Sequence, residues 1–177
     1  SDRCQQSELL RARGEPSRTQ ADRGPIQLDD TDRAIVQAIT ADAGITNKAL
    51  AHRLRLAEST CAYRVRQLRD QGVLRGARAE IDLAALGYPL EAVIAVRLGT
   101  HSEAAVNEFF DSITETPGVL QVFFTSGSAD FLVHVAVRDT QELRDMVLEH
   151  ITTHRAVRQA ETHLAFESRR GVGVALS

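Results

Sequence analysis

NKALAHRLRLAESTCAYRVRQLRDQG, residues 47–72, is the stretch whose reading decides the N-terminal half of the fold. Ala49, Leu50 and Leu54 line one face of a helix, and Thr46 is its N-cap candidate. Arg55, Leu56 and Ala57 intervene before a second helix from about Glu58 to Gln71, with Cys61, Val65 and Leu68 at i, i+4, i+7 facing inward. Gly72 is the C-cap signal. So short a connection holds the two helices at a steep angle, the helix-turn-helix arrangement. The outward face then carries Ser59, Thr60, Tyr63, Arg64 and Gln67, with Arg66 and Arg69 on the flanks. Hydroxyls and a carboxamide read base edges, and guanidinium groups pair with guanine or phosphate.

Upstream, LDDTDRAIVQAI (28–39) predicts a further helix, with N-cap oxygens at Asp29, Asp30 and Thr31 and apolar positions Ile35, Val36 and Ile39. Downstream, Val73-Leu74 and Ala79–Leu83 predict a short hairpin around Arg75-Gly76, which makes the motif winged. Arg75 and Arg78 in that hairpin would reach the flanking DNA backbone, and Thr46 and Lys48 complete the candidate DNA-binding set. Charge supports a polyanion partner. The chain carries a net −3, yet residues 44–79 hold eight Lys/Arg against two Asp/Glu, while residues 84–177 hold seven against twelve. A solvated helix face is the plainer reading of the arginines; their clustering in this frame favours DNA.

The second half alternates regularly. Strands are expected over Val93–Leu98, Val119–Thr125, Phe131–Val137 and Val157–Phe166. Helices fall between, one capped by Ser102 and carrying Phe109, Phe110 and Ile113, the other capped by Thr140 and carrying Leu143, Met146, Val147 and Ile151. The order is βαββαβ, so the fold class is α+β: an N-terminal winged helix-turn-helix plus a C-terminal ferredoxin-like domain with both helices on one face of an antiparallel sheet. The bare face calls for a second subunit. The expected organisation is an extension over 1–27, mobile because it is polar and broken by Gly14, Pro16, Gly24 and Pro25; the DNA-binding domain over 28–83; a hinge over 84–90; the βαββαβ domain over 91–167; and a tail over 168–177.

Several classes are disfavoured. No apolar run reaches the roughly 18 residues of a membrane span, and the N-terminus has no apolar signal core, which makes the cytoplasm the default location. Cys4 and Cys61 lie in unlike surroundings and suggest neither a disulfide nor a zinc site; Cys61 is read as packing rather than as a redox sensor. His150 and His154 at i, i+4 lack a third ligand and read as a solvated face. No nucleophile–base pair or phosphate loop supports catalysis, so neither an enzyme nor a bound cofactor is expected. His134, mid-strand opposite in phase to Phe131, Val133 and Val135, marks a polar subunit or ligand surface.

From Leu28 to Phe166 the chain resembles the Lrp/AsnC (feast/famine) regulators. The resemblance is carried by LDDTDRAIVQAI, by the helix-turn-helix and wing NKALAHRLRLAESTCAYRVRQLRDQGVLRGARAEID, by LAALGY, and by TSGSADFLVHV with Gly127 and Asp130 in register. It implies a regulator of transcription that binds double-stranded DNA as a homodimer or a larger assembly, a tetramer or octamer. It also implies an amino acid or related metabolite bound where C-terminal domains meet. Effector contacts would come from Thr125, Ser126, Gly127, Ser128 and Asp130, with Thr162 matching a threonine common in the family. Turn amides can bind a carboxylate and an aspartate can pair with an ammonium, although Gly and Asp also make ordinary tight turns. Three positions depart from the family's pattern: Arg55 where glycine is frequent, Ala57 where serine caps the recognition helix, and Ala129 where an aromatic residue precedes the aspartate. An architectural DNA-binding protein without effector response is the alternative, and an enzyme or regulatory module built on the ferredoxin-like half is a remoter one.

Overall fold

In the computed structural model the structure describes residues 26–169 and 171. The extension expected over 1–27, apart from residues 26 and 27, lies outside these residues, as do Cys4, residue 170 and residues 172–177 of the expected tail. The described chain divides into two compact units between Arg78 and Ala79.

The first unit holds α1 (Asp30–Ala41), α2 (Asn47–Leu54) and α3 (Glu58–Asp70). Each start has a local cause. The Asp29 carboxylate accepts from the Asp32 amide at 2.8 Å, and the Thr46 hydroxyl accepts from the Ala49 amide at 3.2 Å. Ala57 stands at the N-cap of α3 and offers no side-chain oxygen. The Asn47 carboxamide instead ties α2 to the start of α3 by donating to the Glu58 carbonyl at 3.0 Å. Helix α2 ends with Arg55 in the left-handed conformation, φ 55 and ψ 43. The Leu56 amide reaches back to the Ala51 carbonyl at 2.9 Å, the six-to-one bond of a Schellman ending. Ile35, Ala38, Leu50, Ala51, Cys61 and Leu68 form the unit's buried core.

The hairpin expected over 73–83 is not formed. Residues 75–82 carry no strand, and the Val73 and Leu74 amides both close onto the Leu68 carbonyl. Ala79, Glu80, Ile81 and Asp82 are all exposed, so pairing would bury nothing, and a lone two-stranded ribbon is marginal without a packed face.

In the second unit, residues 82–88, within the stretch expected as a hinge, form a hydrogen-bonded turn: the Asp82 carboxylate accepts from the Ala85 amide, and the Leu83 carbonyl accepts from the Leu86 and Tyr88 amides. Then follow β1 (Leu90–Leu98), α4 (Glu103–Thr114), β2 (Val119–Phe124), β3 (Phe131–Val137), α5 (Thr140–Met146) and β4 (Val157–Ala165). Every neighbouring pair is antiparallel, in the order β2-β3-β1-β4. Register assigns the faces, since directly paired residues point the same way. Ala92, Ile94, Val96, Phe131, Val133 and Val135 pack under Phe109 and Ile113 of α4 and Leu143 and Met146 of α5. The opposite face presents Glu91, Val93, Ala95 and Arg97 of β1 beside Leu132 and His134 of β3 and Gln159, Glu161 and His163 of β4.

Two details differ from the sequence expectation. Asp139, not Thr140, caps α5, accepting from the Glu142 amide at 2.8 Å; an ionised carboxylate is the stronger acceptor for a helix N-terminus. Beyond Met146 the helix continues as a π-helical segment, Val147–Thr152. The wider turn carries Ile151, five residues after Met146, onto the core face while Leu148 stays exposed.

Candidate functional site

On α3 the burial pattern follows the expected register. Cys61 and Leu68 are buried, Val65 packs against them, and burial pushes the Cys61 thiol pKa up, as suits a packing residue. Ser59, Thr60, Tyr63, Arg66 and Arg69 are exposed along the free face, Tyr63 to 62%, and Gln67 is half-buried beside them. Thr46 and Lys48 are exposed at the start of α2, and Arg75 and Arg78 are exposed after α3.

Arg64 departs from this set. Its terminal nitrogen donates to Asp29 at 2.6 Å and to Asp32 at 2.8 Å, and its side chain is only 30% exposed. The hydrogen bond and charge of Arg64 hold the Asp29 carboxyl below the usual carboxylate range, and the two carboxylates raise Arg64 in turn. Two acidic groups at the start of α1 thus take the guanidinium and fasten α3 to α1. Arg64, expected on the DNA-reading face, is thus engaged within the unit by Asp29 and Asp32.

In the second unit the β2–β3 turn is tied down strand by strand. The Thr125 hydroxyl donates to the Ala129 carbonyl at 2.7 Å, and the Thr125 amide to the Asp130 carbonyl at 2.8 Å. Gly127 sits at φ 142, a conformation side chains with a Cβ rarely adopt. Arg97 donates through Nε to the Ser128 carbonyl at 2.7 Å, and its second nitrogen reaches the same oxygen. Phe124 and Phe131 flank the turn with ring centroids 5.0 Å apart, and the Phe131 ring packs at a tilt against Phe109 of α4, centroids 4.9 Å apart.

Asp130 is also committed within the unit. One carboxylate oxygen accepts from the Leu98 amide at 2.7 Å, the other meets His101 Nε2 at 3.0 Å, and the side chain is 17% exposed. It locks the turn to the end of β1 and does not present a bare carboxylate to an ammonium. Thr162 is not beside the turn's polar groups either. It pairs with Ile94, which puts it on the helix-bearing side of the sheet. Strand alternation instead sends Gln159 and Glu161 of β4 to the bare side. There they line a shallow hollow of about 150 Å³ with Ala95, Arg97, Ser128 and Ala129. Arg97, Gln159 and Glu161 were not singled out by sequence; only the register, which sets every second residue of β1 and β4 on one face, brings them together. His134 lies on the same face, its Nε2 2.7 Å from Glu91 Oε2.

Comparison with known proteins assigns both units. A family model for a winged helix-turn-helix DNA-binding domain matches residues 28–75, and one for the Lrp/AsnC ligand binding domain matches residues 91–171. The HTH-type transcriptional regulator AldR of Mycobacterium tuberculosis is 41% identical over 83% of this chain and 82% of its own length. The leucine-responsive regulatory protein of Rhizobium meliloti is 34% identical over 78% of this chain and 89% of its own. Among solved structures, a transcriptional regulator of Neisseria meningitidis in complex with L-Met superposes with a TM-score of 0.76 at 28% identity, covering 82% of this chain and 94% of that one. The chain is therefore a DNA-binding transcriptional regulator, not an enzyme, and it belongs to the Lrp/AsnC family.

Proposed function

We propose that the exposed face of α3 reads an operator in the major groove and that an amino acid or related small metabolite, bound by the C-terminal unit, adjusts operator affinity or assembly. The observation that carries the reading is the exposed row Ser59, Thr60, Tyr63, Arg66 and Arg69, with Gln67 beside it, on a helix fastened by the Arg64 clamp and the α1–α2 core. Thr46, Lys48, Arg75 and Arg78, all exposed, would supply the phosphate contacts that set the register. A homodimer formed through the bare sheet face, and larger assemblies of such dimers, would pair two reading helices on an imperfect palindrome. The turn residues Thr125, Ser126, Gly127 and Ser128 are part of the effector region. Asp130 shapes that region through β1, and Thr162 falls on the other side of the sheet. The complex of the Neisseria regulator with L-Met supports an amino-acid class of effector.

Fluorescence anisotropy on the DNA upstream of the protein's own gene, against a scrambled duplex at fixed salt, tests the reading. The expected result is preferential binding to the upstream DNA that one of the common amino acids shifts several-fold. Equal binding to both duplexes, unmoved by any amino acid, would replace it with an architectural role.

A further inference from the structure

The basic stretch 44–79 contains two acidic residues, Glu58 and Asp70, and they stand at opposite ends of α3. Twelve steps of 1.5 Å put them roughly 18 Å apart along the helix. Asp70 closes the last turn, whereas a recognition helix meets base edges with its N-terminal residues. Glu58 is the first residue of α3 and is exposed. Its backbone is held, because its carbonyl accepts from the Asn47 carboxamide at 3.0 Å. Its carboxylate makes no hydrogen bond or ion pair among the described residues. Side chains on a helix tilt toward the N-terminus, so this one projects past the end of α3. A helix start favours an acid, but an aspartate at the N-cap would serve that end and cap the helix too. Ala57 stands there instead, with no side-chain cap. An uncompensated carboxylate at the leading end of the helix lowers affinity for every DNA sequence, since DNA is a polyanion.

We propose that Glu58 is a specificity-determining residue that accepts a hydrogen bond from the exocyclic amine of one cytosine in each half-site of the operator. The inference rests on the reading of DNA by α3 proposed above and deepens it by naming a base. In the major groove guanine shows two acceptors, thymine an acceptor and a methyl group, and adenine an acceptor beside its amine; cytosine shows an amine donor alone. An ionised carboxylate can only accept. Guanine and thymine therefore repel it, and the adenine ring nitrogen opposes its second oxygen. Cytosine is the one base that offers a donor with no acceptor next to it. Against any other base the carboxylate loses water without gaining a partner, so Glu58 excludes three bases as much as it holds the fourth. Ser59, Thr60, Tyr63, Arg66 and Arg69, the exposed row behind it, are neutral or cationic and supply attraction. Glu58 supplies the penalty that separates the operator from other DNA.

Selection of binding sites from a randomised duplex pool by the full-length protein tests this, followed by anisotropy on the selected site and its single-base variants. The wild-type chain should select a cytosine at one position of each half-site, favoured about tenfold over the other bases. Glu58→Gln should move the preference at that position from cytosine to adenine, because a carboxamide both donates and accepts and pairs with the adenine edge. A gained preference of this kind cannot come from loss of folding. Glu58→Ala should level the four bases at that position, keep the preferences elsewhere in the site, and bind scrambled DNA more tightly than the wild type does. If the wild-type chain selects a defined site in which no position requires cytosine, or if both variants select the wild-type site unchanged, Glu58 reads no base and the reading of DNA by α3 stands without it. A Glu58→Gln chain that loses all sequence preference would also overturn the assignment. If the wild-type chain enriches no sequence at all, the operator reading itself falls, and this assignment with it.

Discussion

Replacing Arg55 with glycine should stabilise the DNA-binding unit, although it removes a side chain of a basic surface. Arg55 occupies φ 55 and ψ 43 at the end of α2, and the Leu56 amide bonds back to Ala51 across it. An L-residue in that region costs about 1–2 kcal/mol through the clash of its Cβ with the carbonyl oxygen. Glycine removes this cost but brings about 0.5–1 kcal/mol of extra freedom in the unfolded chain. The net gain is about 0.5–1 kcal/mol, a two- to fivefold change in an opening equilibrium by the usual conversion of about 1.4 kcal/mol per tenfold. A two-unit chain need not melt in one step, so amide hydrogen exchange in α2 and α3 of the full-length protein is the suitable assay. Arg55→Gly should slow exchange of the Leu56 amide and the α3 core amides about two- to fivefold. Arg55→Ala, which removes the charge and keeps the strain, should leave them near wild type. Faster exchange in the glycine variant, or equal slowing in both, would show that the left-handed turn is not strained as argued.

Four further outcomes follow from particular contacts. Since Arg64 lowers the Asp29 pKa in the folded unit, that pair's stabilisation is complete above the unfolded carboxylate value of about 3.9 and disappears as pH falls through the lower folded value. Asp29→Asn should flatten this acid limb of α1 and α3 exchange, and an unchanged limb would remove the clamp from the explanation. Gly118→Ala should destabilise the C-terminal unit by at least about 2 kcal/mol, visible as a lowered thermal midpoint: φ is +86, and a Cβ would stand 3.0 Å from the Ala136 carbonyl and 2.7 Å from Met146 Cε. Gln67→Ala should cost about 1–3 kcal/mol of discrimination between operator and scrambled DNA, whereas Lys48→Ala should weaken both alike and lower the salt slope by about one, as read by anisotropy across a salt series. Cys61 should resist alkylation in the folded protein and react after denaturation; prompt labelling of the native state would contradict its burial.

The N-terminal unit was legible because its determinants are local. Thr46 caps, the spacing of Cys61 and Leu68 faces the core, and the short turn through Arg55 are all set by residues within a few positions of one another. The same holds for the βαββαβ order, since strand alternation and helical spacing are written along the chain. Only the tertiary structure decided what depends on pairing between distant segments. Arg64 lies on the reading side of its own helix by periodicity alone, but carboxylates at Asp29 and Asp32, more than 30 positions away, claim it. Asp130 fits an ammonium partner by resemblance, but the β1 end and His101 use both its oxygens. Thr162 and Glu161 are neighbours in sequence and sit on opposite faces of the sheet, because pairing with Ile94 and Ala95 sets one toward the helices and the other toward the hollow. A one-residue change of strand register would exchange them, and no local signal in β4 fixes that register; packing of the whole sheet does.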